Sequence, residues 1–113
     1  MKNIFFLHWN EVELKEKIQP LMKAGYHVSY HFTSGVAANL TNPLPEILVI
    51  CLDRLPSHGK TYAGWMWEAK KRQHIPIVFC GGKTEKVTVV KEKFPSALFC
   101  ANERLLVTLK KIK

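Results

Sequence analysis

Five short apolar segments, each followed by a stretch with helical periodicity, are the feature that most constrains the fold of this 113-residue chain. The segments at 4–7, 46–52 and 75–80 are almost continuously apolar, which is typical of strands covered on both faces. The segment at 27–32 alternates polar and apolar residues, and the fifth segment lies at 97–100. Strands and helices that alternate in this way predict an α/β domain with a parallel sheet and helices on both faces.

The alternating segment at 27–32 indicates an edge strand, because one of its faces carries polar residues. With five strands and the second at an edge, the economical strand order is 2-1-3-4-5, as in flavodoxin-like folds. The chain, residues 1–113, is then one three-layer domain without a repeat or linker. In such a sheet, ligands bind at the carboxyl ends of the strands, in the crevice between the first and third strands.

Capping residues and helix breakers define the expected helices. Asn10 is expected to cap the first helix, with Glu13 completing a capping box, and Gly25 is expected to end it. Pro20 predicts a kink or an early end, because proline removes a backbone hydrogen bond. The stripe expected to be buried comprises Leu14, Ile18, Leu21 and Met22. The other predicted helices are a short one at 34–40, one ending near residue 73, and two at 84–93 and 103–112.

The charge balance is strongly basic: 17 Lys and Arg residues against nine acidic residues give a formal net charge of +8. This excess favours an anionic partner, but the basic residues are spread along the chain, so solvated helix faces explain most of them. Nucleic-acid binding is therefore the third functional hypothesis. No apolar run approaches the roughly 20 residues of a membrane-spanning helix, and no secretion signal is evident.

The three cysteines, Cys51, Cys80 and Cys100, lie in or at the end of apolar segments and form no C-x-x-C pair. This pattern is typical of small buried side chains in a reducing compartment, and we expect a cytoplasmic protein. A redox or thiolate–metal role would favour exposure or close ligand spacing.

The chain contains a single aspartate, Asp53, directly after the apolar run of the third predicted strand. That position puts its carboxylate at the predicted crevice, where His8 and His58 are also expected. Two imidazoles and a carboxylate that converge there would bind a metal or a small anion, or support acid–base catalysis. The simpler alternative is a rigid loop after Asp53 in which Ser57 caps the next helix. The wider predicted binding rim comprises Trp9, Asn10, Arg54, Ser57, Gly59, Gly81 and Gly82.

The run from Pro45 to Pro56, Gly59 at the start of the next helix, and the strand from Ile75 to Phe79 resemble a response-regulator receiver domain. The resemblance covers essentially the whole chain. It implies that Asp53 stands at the position of the aspartate that accepts a phosphoryl group. The spacing from Asp53 to Pro56 is one residue shorter than the family pattern.

Three positions depart from the receiver pattern. Receivers hold Mg²⁺ with an acidic pair after the first strand, where this chain has His8 and Trp9. The position of the family's Ser or Thr after the fourth strand falls on Gly81, and that of its lysine falls on Cys100 or Ala101. The resemblance therefore implies a receiver-like scaffold without phosphotransfer chemistry.

The leading hypothesis is a receiver-like domain that acts as a protein-interaction or regulatory module, without a cofactor or resident metal. Its expected partner is another protein, with a second copy of the chain as one option. Trp9 and Trp67, with basic neighbours, would suit such a surface. In the simpler alternative, Trp65 and Trp67 are packing residues without a role in binding. The second hypothesis is the anion, metal or enzymatic site at His8, Asp53 and His58, and the third is nucleic-acid binding.

Overall fold

The chain folds around one five-stranded parallel sheet. The computed structural model describes residues 3–8, 10–31, 45–52, 64–66, 68 and 74–112. The strands are β1 Asn3–Leu7, β2 His27–His31, β3 Ile47–Cys51, β4 Ile77–Cys80 and β5 Leu98–Cys100. Their order is β2-β1-β3-β4-β5 and every pairing is parallel. The predicted class and strand order are confirmed, with the alternating segment at an edge.

Three helices are described in full: α1 Glu11–Lys23, α2 Thr84–Lys93 and α3 Leu105–Lys110. A 3-10 turn at Asn102–Arg104 leads into α3, and residues 64–66 are also helical. The short helix predicted at 34–40 and most of the helix predicted to end near residue 73 lie outside the described residues. No helix of the described ranges has the length and apolar character needed to cross a membrane.

The strands bury opposite faces in two separate cores. Val49 and Cys51 of β3 face the first core, which also takes Leu14 and Ile18 of α1 and Leu105 of α3. Leu48 and Ile50 face the second core, with Met66, Val90 and Phe94. All five residues of β3 have no exposed surface. Burial on both faces is the reason for the continuous hydrophobicity of this segment.

Asn10 caps α1 as the sequence predicts, since its Oδ1 accepts a hydrogen bond from the Glu13 backbone N–H at 3.0 Å. The second half of the predicted capping box, a bond from the Asn10 N–H to the Glu13 side chain, stays a prediction. The early end predicted at Pro20 is wrong, because α1 continues to Lys23. Pro20 and Glu16, whose carbonyl loses its usual donor, are both exposed, so water can satisfy that carbonyl.

Burial along α1 is narrower than predicted. Leu14, Ile18 and Leu21 are buried, but Met22 is 51% exposed and its predicted burial is wrong. Met22 follows Leu21 by one residue, which turns its side chain about 100° around the helix and off the buried stripe. In the segments of α2 and α3, Val90, Phe94, Leu105 and Leu109 are buried, and Leu106 and Ile112 pack against the first core.

Two glycines with positive φ provide a matched test of packing. We expect Gly25→Ala, at φ +98° with nothing within 4 Å of the added Cβ, to lower the unfolding free energy by about 1 kcal/mol. Gly82→Ala, at φ +89°, should lower the unfolding free energy by about 2 kcal/mol more than Gly25→Ala does, because its Cβ would lie 2.8 Å from Leu52 Cβ. Urea unfolding of both variants measures the difference. Equal losses would show that the Leu52 contact does not constrain Gly82.

Candidate functional site

The site at the β1–β3 crevice is a group of four side chains, His8, Glu13, Lys17 and Cys51, which we name the switch-point cluster. His8 follows β1 directly, and Cys51 is the last residue of β3. Leu7 and Ile50 are register partners, so the two strands end side by side. Glu13 and Lys17 are four residues apart on α1 and therefore lie on the same side of the helix.

The ammonium group of Lys17 lies at the centre of this cluster. Its Nζ is 3.3 Å from His8 Nε2 and 3.3 Å from Cys51 Sγ. Leu14 and Ile18, buried on the adjacent stripe of α1, hold the helix against the sheet, and the half-buried Lys17 stem follows that surface. The arrangement fixes a positive charge between the ends of β1 and β3.

The His8 side chain is fully buried. Its backbone N–H donates to the carbonyl of His31 at 3.2 Å, and its ring stacks on Phe6 with centroids 6.4 Å apart. His8 Nε2 is also 3.3 Å from Glu13 Oε1. The lysine contact needs a lone pair on Nε2 and the carboxylate contact needs a proton there, so the two exclude each other at any instant.

The other ring nitrogen of His8 has a different environment. Within the described part of the chain, His8 Nδ1 is buried and has no hydrogen-bond partner. Nε2 contacts Lys17 and Glu13, and Nδ1 is buried, so the whole imidazole ring of His8 lies in the interior of the domain. Within the described ranges, no group of three or more His, Cys, Asp or Glu side chains is arranged to hold a metal ion.

The three cysteines lie in one row across the sheet. Cys51 pairs in register with Cys80, and Cys80 pairs with Cys100, at the ends of three neighbouring strands. No disulfide joins any of the three; Cys51 and Cys80 are buried as predicted, whereas Cys100 is only half-buried. The hydrogen bond with Cys51, followed by burial, raises the pKa of Cys80 well above its usual value. Burial also raises the pKa of Cys100, against the opposing effects of Thr108 and Arg104.

Gly81 and Gly82 belong to a second cleft, on the α2 side of the sheet. The cleft has a volume of about 740 Å³ and lies between the end of β4, α2 and β5. The two glycines have φ values of +70° and +89°, and the Gly81 N–H donates to the Cys100 carbonyl at 3.1 Å. Lys91 Nζ lies 5.5 Å from the centre of the Phe99 ring at the same cleft. Gly81 and Gly82 of the predicted binding rim therefore lie at this second cleft and not in the switch-point cluster.

Of the residues predicted for the site, four are described: His8 is buried, Asn10 caps α1, and Gly81 and Gly82 line the second cleft. The convergence of His8 with Asp53 and His58 stays a prediction. The predicted residues outside the described ranges are Trp9, Asp53, Arg54, Ser57, His58 and Gly59.

Sequence reasoning missed Glu13 as a partner of His8, and it missed Lys17 altogether. A usable signal was present, because each of these residues immediately precedes a member of the buried stripe, Leu14 or Ile18. Residues at that offset lie at the border of the buried face, where a long side chain reaches the strand ends. Cys51 was correctly expected to be buried, but its contact with an ammonium group has no sequence signature.

Comparison with known proteins supports the same fold. The chain is similar to the chemotaxis response regulator CheY4 of Vibrio cholerae, with a TM-score of 0.79 and 16% identity over 100% of this chain and 99% of that one. It is also similar to the Mn²⁺-bound form of the response regulator Rcp1, with a TM-score of 0.66 and 13% identity over 89% and 80% of the two chains. No family model and no curated protein matches the sequence. The fold is therefore receiver-like.

The raised pKa of Cys80 predicts a pH dependence of stability. Above about pH 9 the thiol ionises in the unfolded chain while the folded state retains its proton, so the unfolding free energy should fall as pH rises. The slope attributable to Cys80 is at most about 1.4 kcal/mol per pH unit. Urea unfolding from pH 7 to 10.5 should show a shallower decline for Cys80→Ala than for the native chain. Parallel curves for the two proteins would contradict this assignment.

Proposed function

We propose that this domain is a receiver-like regulatory module that acts through protein contacts and does not carry out phosphotransfer. The observation that supports it best is the Lys17 ammonium group, 3.3 Å from both His8 Nε2 and Cys51 Sγ. In the receiver pattern, the region between the first and third strands holds Mg²⁺. Here a side chain of the protein supplies the positive charge.

The electrostatics of the cluster disfavour a divalent cation beside Lys17. A divalent ion about 4 Å from an ammonium group is repelled by about 8 kcal/mol at an effective dielectric constant of about 20. Metal binding would need several carboxylates to offset this repulsion. The switch-point cluster contributes one, Glu13, and its Oε1 already contacts His8. Where the receiver pattern has an acidic pair, this chain has His8 and Trp9.

Support for protein contacts comes from the β5 edge of the sheet. Leu98 is exposed on the edge strand β5, and the helices that precede and follow β5 in the chain also carry exposed apolar side chains, Val89 on α2 and Val107 on α3. The exposed fractions of Leu98, Val89 and Val107 are 41%, 51% and 48%. Exposed apolar side chains on an edge strand and on the helices next to it in the chain suit a protein partner better than they suit a small polar ligand.

The phosphotransfer part of the proposal has a direct test. The chain is incubated with acetyl phosphate or a phosphoramidate plus Mg²⁺, and its intact mass is then measured. We expect the mass to stay unchanged, because the acidic pair that would hold the Mg²⁺ ion needed for phosphoryl transfer is missing. A receiver domain with a complete acidic pair, treated in parallel, shows that the reagents are active. A phosphoryl adduct that disappears in an Asp53→Asn variant would refute the proposal.

The interaction part is tested by comparing two surfaces of equal apolar character. Affinity capture from the native host with the immobilised domain should retrieve partner proteins, and Leu98→Glu should abolish their capture. Met22→Glu on α1, where the native side chain is 51% exposed, should have no effect on capture. Both substitutions lie at exposed positions and should change the unfolding free energy by less than about 0.5 kcal/mol. Loss of capture with Met22→Glu alone would place the interface on α1 instead.

A further inference from the structure

Two of the three aligned thiols have the geometry of a redox pair. Cys51 and Cys80 are register partners and each is the last residue of its strand. Adjacent parallel strands are about 4.8 Å apart, within the Cα separation of about 4.4–6.8 Å that disulfides span. Both side chains face the first core, and they hydrogen-bond to each other.

A charged group lies against one member of this pair. Lys17 Nζ is 3.3 Å from Cys51 Sγ, although Cys51 has no exposed surface. Placing an ammonium group against a buried thiol carries a desolvation cost that a purely apolar packing role would not require. The same contact stabilises a thiolate, which is the nucleophilic form of cysteine.

We propose that Cys51 and Cys80 form a reversible disulfide on exposure to a hydroperoxide, with Lys17 stabilising Cys51 as the attacking thiolate. Cys80 is the resolving thiol. This inference is independent of whether the domain takes part in phosphotransfer, and it gives the pair a role beyond packing. Disulfides of this transient kind are compatible with a reducing compartment.

The chemistry balances in two steps. The Cys51 thiol first releases its proton to solvent, and the thiolate attacks the terminal oxygen of the hydroperoxide. The O–O bond breaks, Cys51 becomes a sulfenic acid, and the leaving alkoxide, or hydroxide when the oxidant is hydrogen peroxide, takes up a proton from solvent. The Cys80 sulfur then attacks the Cys51 sulfur, the S–O bond breaks, and the departing hydroxide leaves as water with the Cys80 proton. Counted from the two thiols, the protein loses two protons and two electrons, and the hydroperoxide is reduced to an alcohol and water, or to two waters when it is hydrogen peroxide.

Cys80 fits the resolving role better than Cys100. Cys80 is the direct neighbour of Cys51, whereas Cys100 is one strand further away and hydrogen-bonds to Thr108. The raised pKa of Cys80 is partly due to the hydrogen bond and the charge of the Cys51 thiolate, and that charge is lost when Cys51 becomes a sulfenic acid. The Leu52 N–H donates to the Cys80 carbonyl at 2.9 Å, so the two backbones are hydrogen-bonded directly beside the cysteines.

The proposal can be tested by peptide mapping, because trypsin separates the three cysteines. Cleavage after lysine and arginine puts Cys51 in peptide 24–54, Cys80 in 73–83 and Cys100 in 94–104. The reduced, folded chain is treated with hydrogen peroxide, alkylated to block free thiols, and digested without reductant. We expect a cross-linked pair of 24–54 with 73–83, which dithiothreitol removes, and alkylated Cys100.

Variants at Lys17 separate the proposed role from simple proximity. Lys17→Met should slow cross-link formation about tenfold by reducing the thiolate fraction of Cys51, and Lys17→Arg should restore most of the rate. Circular dichroism checks that both variants remain folded, and Cys100→Ser should cross-link at the native rate. Four results would each overturn the proposal. They are a cross-link between 73–83 and 94–104, the formation of intermolecular disulfides only, complete alkylation of Cys51 after peroxide, and a cross-linking rate that does not depend on residue 17.

Discussion

The fold depends on the burial of β3 from both sides. All five of its residues have no exposed surface, and alternate side chains enter two separate cores. A strand in this position requires helices on both faces and neighbouring strands on both edges. The pairing of β1 and β4 with β3 fixes the centre of the sheet, and β2 and β5 complete it.

The burial of β3 on both faces also determines which side chains lie at the crevice between β1 and β3. Because β1 and β3 end in register, the side chains of His8 and Cys51 at their ends lie against the same side of α1. In this chain they meet Lys17, whose ammonium group lies between a histidine and a thiol. A receiver-like backbone therefore surrounds a cluster whose composition differs from the metal-binding acids that the family pattern places there. Similar folds frequently carry different chemistry in this way.

Much of the fold could be predicted from the sequence, since strand order follows from the alternation of elements and from the polar face of 27–32. Asn10 was found because a helix cap depends on local residues only. Met22 was misjudged because periodicity gives the direction of a side chain but not the width of the surface it meets. Of the two outcomes expected at Pro20, the early end is contradicted, and the kink stays a prediction. The place of Lys17 at the border of the buried stripe can be seen in the sequence, but its contacts with His8 and Cys51 depend on three elements at once, so no local pattern identifies these partners.

The row of three cysteines shows a second limit of prediction from the sequence. The sequence correctly indicated the burial of Cys51 and Cys80, but the register of the three cysteines across β3, β4 and β5 follows from crossover geometry and not from spacing along the chain. Residues 29 and 20 positions apart become direct neighbours once the strands pair. Spacing rules for cysteine motifs apply to ligands on one loop and do not detect this arrangement.

The shortness of β5 has a consequence for recognition. As an edge strand of three residues, Leu98–Cys100, it offers few open backbone donors and acceptors to an incoming chain. Extended peptides that dock by strand addition need a longer run of such groups. A protein that binds at this edge must therefore be recognised by the shape and chemistry of side chains, which makes its specificity sensitive to single substitutions rather than to backbone pairing.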